Sequence, residues 1–311
     1  MTTCLYICGA GHSGSTLLDM LLGSHSRIAS LGEIINLPMD WATNNRCTCG
    51  ANVRDCSVWS NVVHEFERRD GIDVTANPYS LNLGPIYAVV GDSKVTGRAY
   101  RLRRRLGSGL HYLELKAGAF GALRPLLPTI YRGLENNLYL YDLVGKQLRV
   151  DFVVDSSKVY AKAVGLYKMA PDRVKIILLV RDGRAVYYSM RKRNFDRTLS
   201  LNSWYTHFRR ALPLIEKHVD AKDVLTVKYE DLASDPAKEM QRICAFAGIG
   251  YEPGMLDFKS KVHHNVNGND MRFSTASEIR LDTSWVTKLA DEEKKFFLQR
   301  AGWLNEKLGY R

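Results

Sequence analysis

The stretch from Thr3 to Thr16 restricts the possible folds of this chain more than any other. The apolar run TCLYIC passes directly into Gly9-Ala-Gly-His-Ser-Gly14-Ser-Thr16, after which Leu17, Leu18, Leu21 and Leu22 recur at helical spacing. A strand that ends in a glycine turn and opens a helix gathers backbone N–H groups around one point at a helix N-terminus, and so forms a preorganised anion cradle. The glycine spacing is that of a G-x-x-x-x-G-K-[ST] phosphate loop, but Ser15 occupies the lysine slot. Without that lysine nothing in the loop reaches a β/γ-phosphate pair, so ATP or GTP hydrolysis is disfavoured and a single 5'-phosphate-type group fits better.

Strand and helix signals alternate again beyond residue 150. Phe152 to Asp155 reads as a short buried strand, and Lys158 to Met169 as a helix ended by Pro171. Val174 to Val180 (VKIILLV) is a continuous apolar run, expected of a strand covered on both faces. Asp182 caps a helix reaching about Lys192; Leu201, Trp204, Phe208, Leu212 and Ile215 mark another; Val224 to Lys228 is a further strand. Asp235-Pro236 opens a helix closed by Gly248, and Asp291 to Leu308 forms a last amphipathic one. Strands joined by helical crossovers imply an α/β fold of three layers, α/β/α, around a central parallel sheet. The expectation is one domain over 1–311. Residues 40–148 are irregular in pattern and read as a mostly helical insertion lying over the core.

A second anion site follows the buried strand. Arg181 stands at the carboxyl end of Val174–Val180, where open α/β sheets hold their ligands, and Ser189 lies two helical turns on. Arginine offers a planar fork to phosphate oxygens and serine adds a hydroxyl donor.

Together, GHSGSTLLDMLL (Gly11 to Leu22) and the strand-Arg181-x7-Ser189 pattern resemble the 3'-phosphoadenosine-5'-phosphosulfate (PAPS)-dependent sulfotransferase family, particularly its bacterial members. Similar family segments are VVDSSK ending at Lys158, Tyr229-Glu-Asp-Leu232, the late loop His263 to Arg272, and the cysteine stretch ending Cys56-Ser-Val-Trp59. The resemblance covers 3–35 and 150–275; residues 60–148 match nothing recognisable. It implies a P-loop-like sulfotransferase fold, with PAPS as co-substrate and an acceptor hydroxyl or amine. Gly11, His12, Ser13, Gly14, Ser15 and Thr16 would take the 5'-phosphosulfate, and Arg181 and Ser189 the 3'-phosphate. Tyr229, Asn269 and Arg272 would border the nucleotide. Catalysis is expected from Glu33 as base, with His264 or His111 as alternatives, and from His12 and Lys158 as the charge at the leaving oxygen. The family usually has Lys or Arg where this chain has His12.

Cys47, Cys49 and Cys56 lie within ten residues. Cys-x-Cys is not the usual zinc-knuckle spacing and a zinc site wants four ligands, for which His64 is the nearby candidate. A reduced, loop-packing cluster is the expectation, with a Cys47–Cys56 or Cys49–Cys56 disulfide as the alternative; no metal is expected.

The net charge of +11, from 44 basic and 33 acidic residues, favours anionic partners without choosing among them. A nucleic-acid-binding role would draw on the run Arg101 to Arg105, but no reader motif accompanies it, and no nucleic-acid partner is expected. A P-loop kinase would need magnesium on Asp155. The start lacks a basic n-region, and no run approaches the roughly 18 apolar residues of a membrane helix. A cytoplasmic protein is therefore expected. A small metabolite is the favoured acceptor, with a sugar, a lipid or a peptidyl tyrosine as alternatives, and the oligomeric state is not legible.

Overall fold

The computed structural model describes residues 1–84, 98–274 and 278–311, with 98–101, 103 and 104 described by backbone alone. The strands are β1 (Thr3–Gly9), β2 (Ile28–Ser30), β3 (Phe152–Lys158), β4 (Val174–Val180) and β5 (Val224–Lys228). They form one sheet in the order β2-β3-β1-β4-β5, and every pairing is parallel.

Side chains alternate across the sheet because the strand period is two. Along β1, Cys4, Tyr6 and Cys8 enter the core on one face, and Leu5 and Ile7 enter the core on the other. Helix α1 (Ser15–Gly23) covers the second face with Leu17, Leu18, Leu21 and Leu22. The first face takes the chain after β3. There α6 (Tyr160–Met169) contributes Ala163, Val164 and Leu166, and α8 (Arg197–His218) contributes Trp204 and Phe208. The chain leaves β1 for one side of the sheet and later returns to its other side at β4. The carboxyl end of β1 is thus a topological switch point, where such sheets open a crevice.

Between β2 and β3 the described residues are mostly helical. They include α2 (Leu37–Thr43), α3 (Ser57–Asp70), α4 (Arg98–Ala117) and α5 (Pro128–Leu148). Three tyrosine and tryptophan side chains of this region, Trp59, Tyr131 and Tyr141, are buried, and they serve the core rather than an open pocket. Of the arginine run, the side chains of Arg101, Arg103 and Arg104 lie outside the described residues. No described helix is long and apolar enough to cross a membrane.

Beyond β4 come α7 (Gly183–Arg191), α9 (Tyr229–Ser234), α10 (Pro236–Ala247), α11 (Ser284–Lys288) and α12 (Asp291–Lys307). The predicted caps are present. Asp182 accepts from the Arg184 amide, Asp235 accepts from the Lys238 amide, and Gly248 ends α10 at φ 78°.

Candidate functional site

A cavity of about 490 Å³ opens at the switch point, lined by the β1–α1 loop, the ends of β2, β3 and β4, α7, the start of α9 and the late loop. Gly11, His12, Gly14, Ser15 and Thr16 form one wall. Gly14 carries the turn at φ 88°, and a Cβ there would stand 2.5 Å from Tyr229 Cδ2. Glycine is required twice over, for its dihedral and for the aromatic ring against it. Ser13 is turned into the protein, and its buried hydroxyl has no partner among the described residues.

Arg181 and Ser189 line the same cavity. The Arg181 guanidinium lies 4.2 Å over the Tyr229 ring, and its Nη1 donates to the His12 carbonyl at 2.9 Å. Nη2 reaches Asp282 only at 3.5 Å, and the buried Nε has no partner among the described residues. A buried, charged donor left over on a cavity wall fits an anionic ligand. Arg193 and Arg280 also line the cavity. Motif reasoning missed both: Arg193 lies just past α7, where no local pattern distinguishes it from a surface charge.

Glu33 and Lys158 complete the cavity wall. Between Tyr6 and Cys8 the β1–β3 register slips, leaving Lys158 opposite Cys8 at φ 67°. This bulge turns Lys158 out of the strand's alternation and towards the site. Its ammonium is ion-paired with Glu33 Oε1, and Asn36 Nδ2 donates to Glu33 Oε2 at 3.4 Å. His12, also left-handed at φ 63°, has its imidazole held below the ordinary histidine value. Burial is the main cause, reinforced by Arg193, Lys158 and Arg181.

The late loop closes one side. Val266 pairs in parallel with Gly32, taking the Glu33 amide at 2.9 Å and donating to the Leu31 carbonyl at 3.1 Å. Gly32, at φ 74°, has no room for a Cβ against the Val266 carbonyl. The Asn269 amide donates to Thr16 Oγ1 at 3.2 Å, so the loop touches both β2's end and the phosphate-type turn. Arg272 is not on the cavity wall. Its Nη1 braces the loop from within, donating to the carbonyls of Asn265 (3.2 Å) and Asn267 (2.8 Å).

Two alternative bases lie elsewhere. His111 is buried beside Glu114 and lines a different cavity, between α4, α5, α6 and α8. His264 stands 3.2 Å from Cys56 Sγ, in the cysteine cluster. That cluster corrects one sequence reading: His64 is exposed on α3, and His264 is the histidine beside the three cysteines. All three cysteines are free thiols, so neither disulfide is formed. The kinase reading also meets an obstacle. Asp155 is fully buried and saturated, accepting from Tyr141, Lys162 and Ser157, with no oxygen turned to the cavity for a magnesium ion.

Comparison with known proteins agrees with this geometry. Residues 127–253, which include β3, Arg181, Ser189 and Tyr229, match the model described as "Sulfotransferase family". Two curated relatives are each named "Putative protein-tyrosine sulfotransferase". The Caenorhabditis briggsae protein is 31% identical over 127 residues, covering 38% of this chain and 44% of that one. The Caenorhabditis elegans protein is 28% identical over 132 residues, covering 38% and 50%. The chain thus spans about half the length of the curated relatives it matches or less. Among solved structures, the sulfotransferase domain of a Synechococcus olefin synthase superposes with TM-score 0.53 at 19% identity, over all of this chain and 96% of that one. A Mycobacterium avium sulfotransferase gives 0.50 at 12%, over all of this chain and 78% of that one. At such identities the likeness is one of fold. Residues 127–253 thus match the sulfotransferase family, and the chain as a whole shares the P-loop-like fold of solved sulfotransferases.

Proposed function

We propose that the chain transfers a sulfuryl group from PAPS to an acceptor hydroxyl or amine, releasing adenosine 3',5'-bisphosphate. One observation carries the reading: a single cavity is lined both by a glycine-turn loop at a helix N-terminus and by Arg181, Ser189 and Arg193. Two sets of anion-binding groups in one cavity suit a nucleotide charged at both its 5' and 3' positions. The orphaned Arg181 Nε supports the 3' assignment, and the amides of Gly14, Ser15 and Thr16 suit the 5'-phosphosulfate.

The reaction forms an acceptor–sulfur bond and breaks the bond from sulfur to the bridging oxygen. Positioning and charge stabilisation therefore carry the catalysis. Two carboxylates line the cavity, Glu33 and Glu278; Glu33, the one beside Lys158, receives the acceptor's proton. Lys158 holds its permanent charge near the leaving oxygen, aided by His12. An arriving phosphosulfate draws the Lys158 ammonium away from Glu33 and frees the carboxylate for its proton. Tyr229 buttresses both sets of groups, and Asn269 borders the nucleotide.

Residues 40–148 shape the acceptor side of a single domain. A second cavity of about 490 Å³, lined by Tyr112, Leu134, Tyr160 and Arg210 among others, supports this. It reaches α6 at Tyr160, two residues after Lys158. The acceptor is a small metabolite in this reading; a peptidyl tyrosine, suggested by the curated relatives' names, is the second candidate. The setting is the cytoplasm, consistent with free thiols at all six cysteines. Incubation with sulfur-labelled PAPS and a panel of small alcohols, amines and tyrosine peptides tests the function. Label transfer to at least one class is expected, and none to any acceptor, with intact folding, contradicts it.

A further inference from the structure

Four soft ligand atoms converge beside the nucleotide cavity without taking part in the transfer. The Sγ atoms of Cys47, Cys49 and Cys56 and a ring nitrogen of His264 all lie within 4.8 Å of one another. A tetrahedral zinc with Zn–S bonds of about 2.3 Å has ligand–ligand edges of roughly 3.8 Å. Small side-chain adjustments therefore suffice to close the four around one ion. Cys47 and Cys56 are fully buried, and Cys49 and His264 are half-buried, so such an ion would sit at the edge of the core rather than in open solvent.

The backbone is arranged to present these atoms. Cys47 and Cys49 sit on a hairpin closed by the Arg46–Asn52 bridge and turned by Gly50 at φ 97°. Cys56 is the N-cap of α3, so the start of that helix fixes its place in the cluster. The fourth group comes from the other end of the chain and is held independently. Trp59 Nε1 donates to the His264 carbonyl at 2.8 Å, and the Asn265 amide donates to Thr48 Oγ1 at 2.8 Å. A disulfide between any two of the thiols would leave a third thiol and an imidazole packed together for no purpose. Three thiols and one imidazole are instead a complete ligand set for structural zinc.

We propose that Cys47, Cys49, Cys56 and His264 bind one zinc ion that clamps the cysteine hairpin and α3 to the late loop. Since Val266 and Asn269 of that loop reach the Glu33 backbone and Thr16, the ion fixes one wall of the cavity. This consequence for ligand binding rests on the PAPS reading, whereas the metal content does not.

The test uses the full chain, purified under reducing conditions without added metal. Elemental analysis should find about one zinc per chain, and His264→Ala should retain at least roughly tenfold less after dialysis against a weak chelator. If a ligand substitution prevents folding, cobalt exchange into the unaltered chain replaces it. Visible d–d bands of tetrahedral intensity with sulfur-to-cobalt charge transfer are then expected. Hydrogen exchange over 263–272 should accelerate when zinc is stripped. Substoichiometric zinc in folded, fully reduced protein, or a Cys–Cys disulfide in the purified chain, overturns the proposal. Zinc present with no bisphosphate binding leaves the site standing and removes the PAPS reading; the reverse result does the opposite.

Discussion

Lys158 and Glu33 meet as an ion pair on the cavity wall, each brought there by a different strand of the sheet. Lys158 arrives through the register slip at the end of β3. Glu33 arrives through the turn after β2, which the late loop holds in place. In the proposed reaction, entry of the anionic donor parts this cation from this acid.

Replacement of Glu33 by Gln removes the proposed base while keeping the shape. Turnover should fall roughly 100- to 10,000-fold, with bisphosphate affinity changed less than about threefold. Equal losses in turnover and affinity would assign Glu33 to binding. Full activity would return the base to another group.

His12 gives a pH signature. In the ligand-free cavity burial and the cations around it hold its imidazole below the ordinary value, so it is neutral at pH 7. A bound anion favours the protonated ring, so binding takes up a proton and tightens as pH falls. Calorimetry from about pH 7.5 to 5.5 should show the unaltered chain gaining up to about tenfold in affinity relative to His12→Gln. Parallel pH profiles for the two would leave His12 a backbone role only.

Asp19 supplies a stability test away from the chemistry. Buried on α1, it accepts from Ser156 Oγ (2.9 Å) and Asn265 Nδ2 (2.8 Å), tying the helix to β3 and the late loop. Burial pushes its carboxyl up to about 7. The folded state therefore binds a proton that the unfolded chain has released, and stability falls as pH rises from about 4 to about 7. Asp19→Asn lacks this slope. The unaltered chain's stability relative to it should decline over that window by on the order of a few kcal/mol, read from denaturant midpoints. A flat difference would mean the carboxyl titrates normally.

Gly14→Ala tests the turn. A left-handed alanine costs about 1–2 kcal/mol, and its Cβ displaces Tyr229 and with it the stacked Arg181. Bisphosphate affinity should drop at least tenfold while the chain stays folded. Unchanged affinity would show that the Tyr229 contact is dispensable.

What could be read from the sequence was local. The strand, turn and helix from Thr3 to Gly23, the strand Val174–Val180 and its Arg181, and the caps at Asp182 and Gly248 are each set by neighbours within a few residues. β2 has only three residues, too few for a period to register. What escaped was long-range. Nothing in the sequence ties Val266 to Gly32, or His264 to Cys56 across 208 residues, and proximity made His64 the nearer candidate. Asp155 ends the part of β3 that pattern reasoning could see. Its buried partner Lys162 and the bulge at Lys158 depend on how β3 packs on β1.

The account stands or falls on the affinity of the free chain for adenosine 3',5'-bisphosphate compared with AMP, measured by calorimetry alongside Arg181→Ala. Charge-assisted contacts to the 3'-phosphate, at about 1.5–3 kcal/mol each, predict at least a tenfold preference for the bisphosphate, with most of it lost in the substituted chain. Equal affinity for the two nucleotides, or a preference that survives the loss of Arg181, would contradict it.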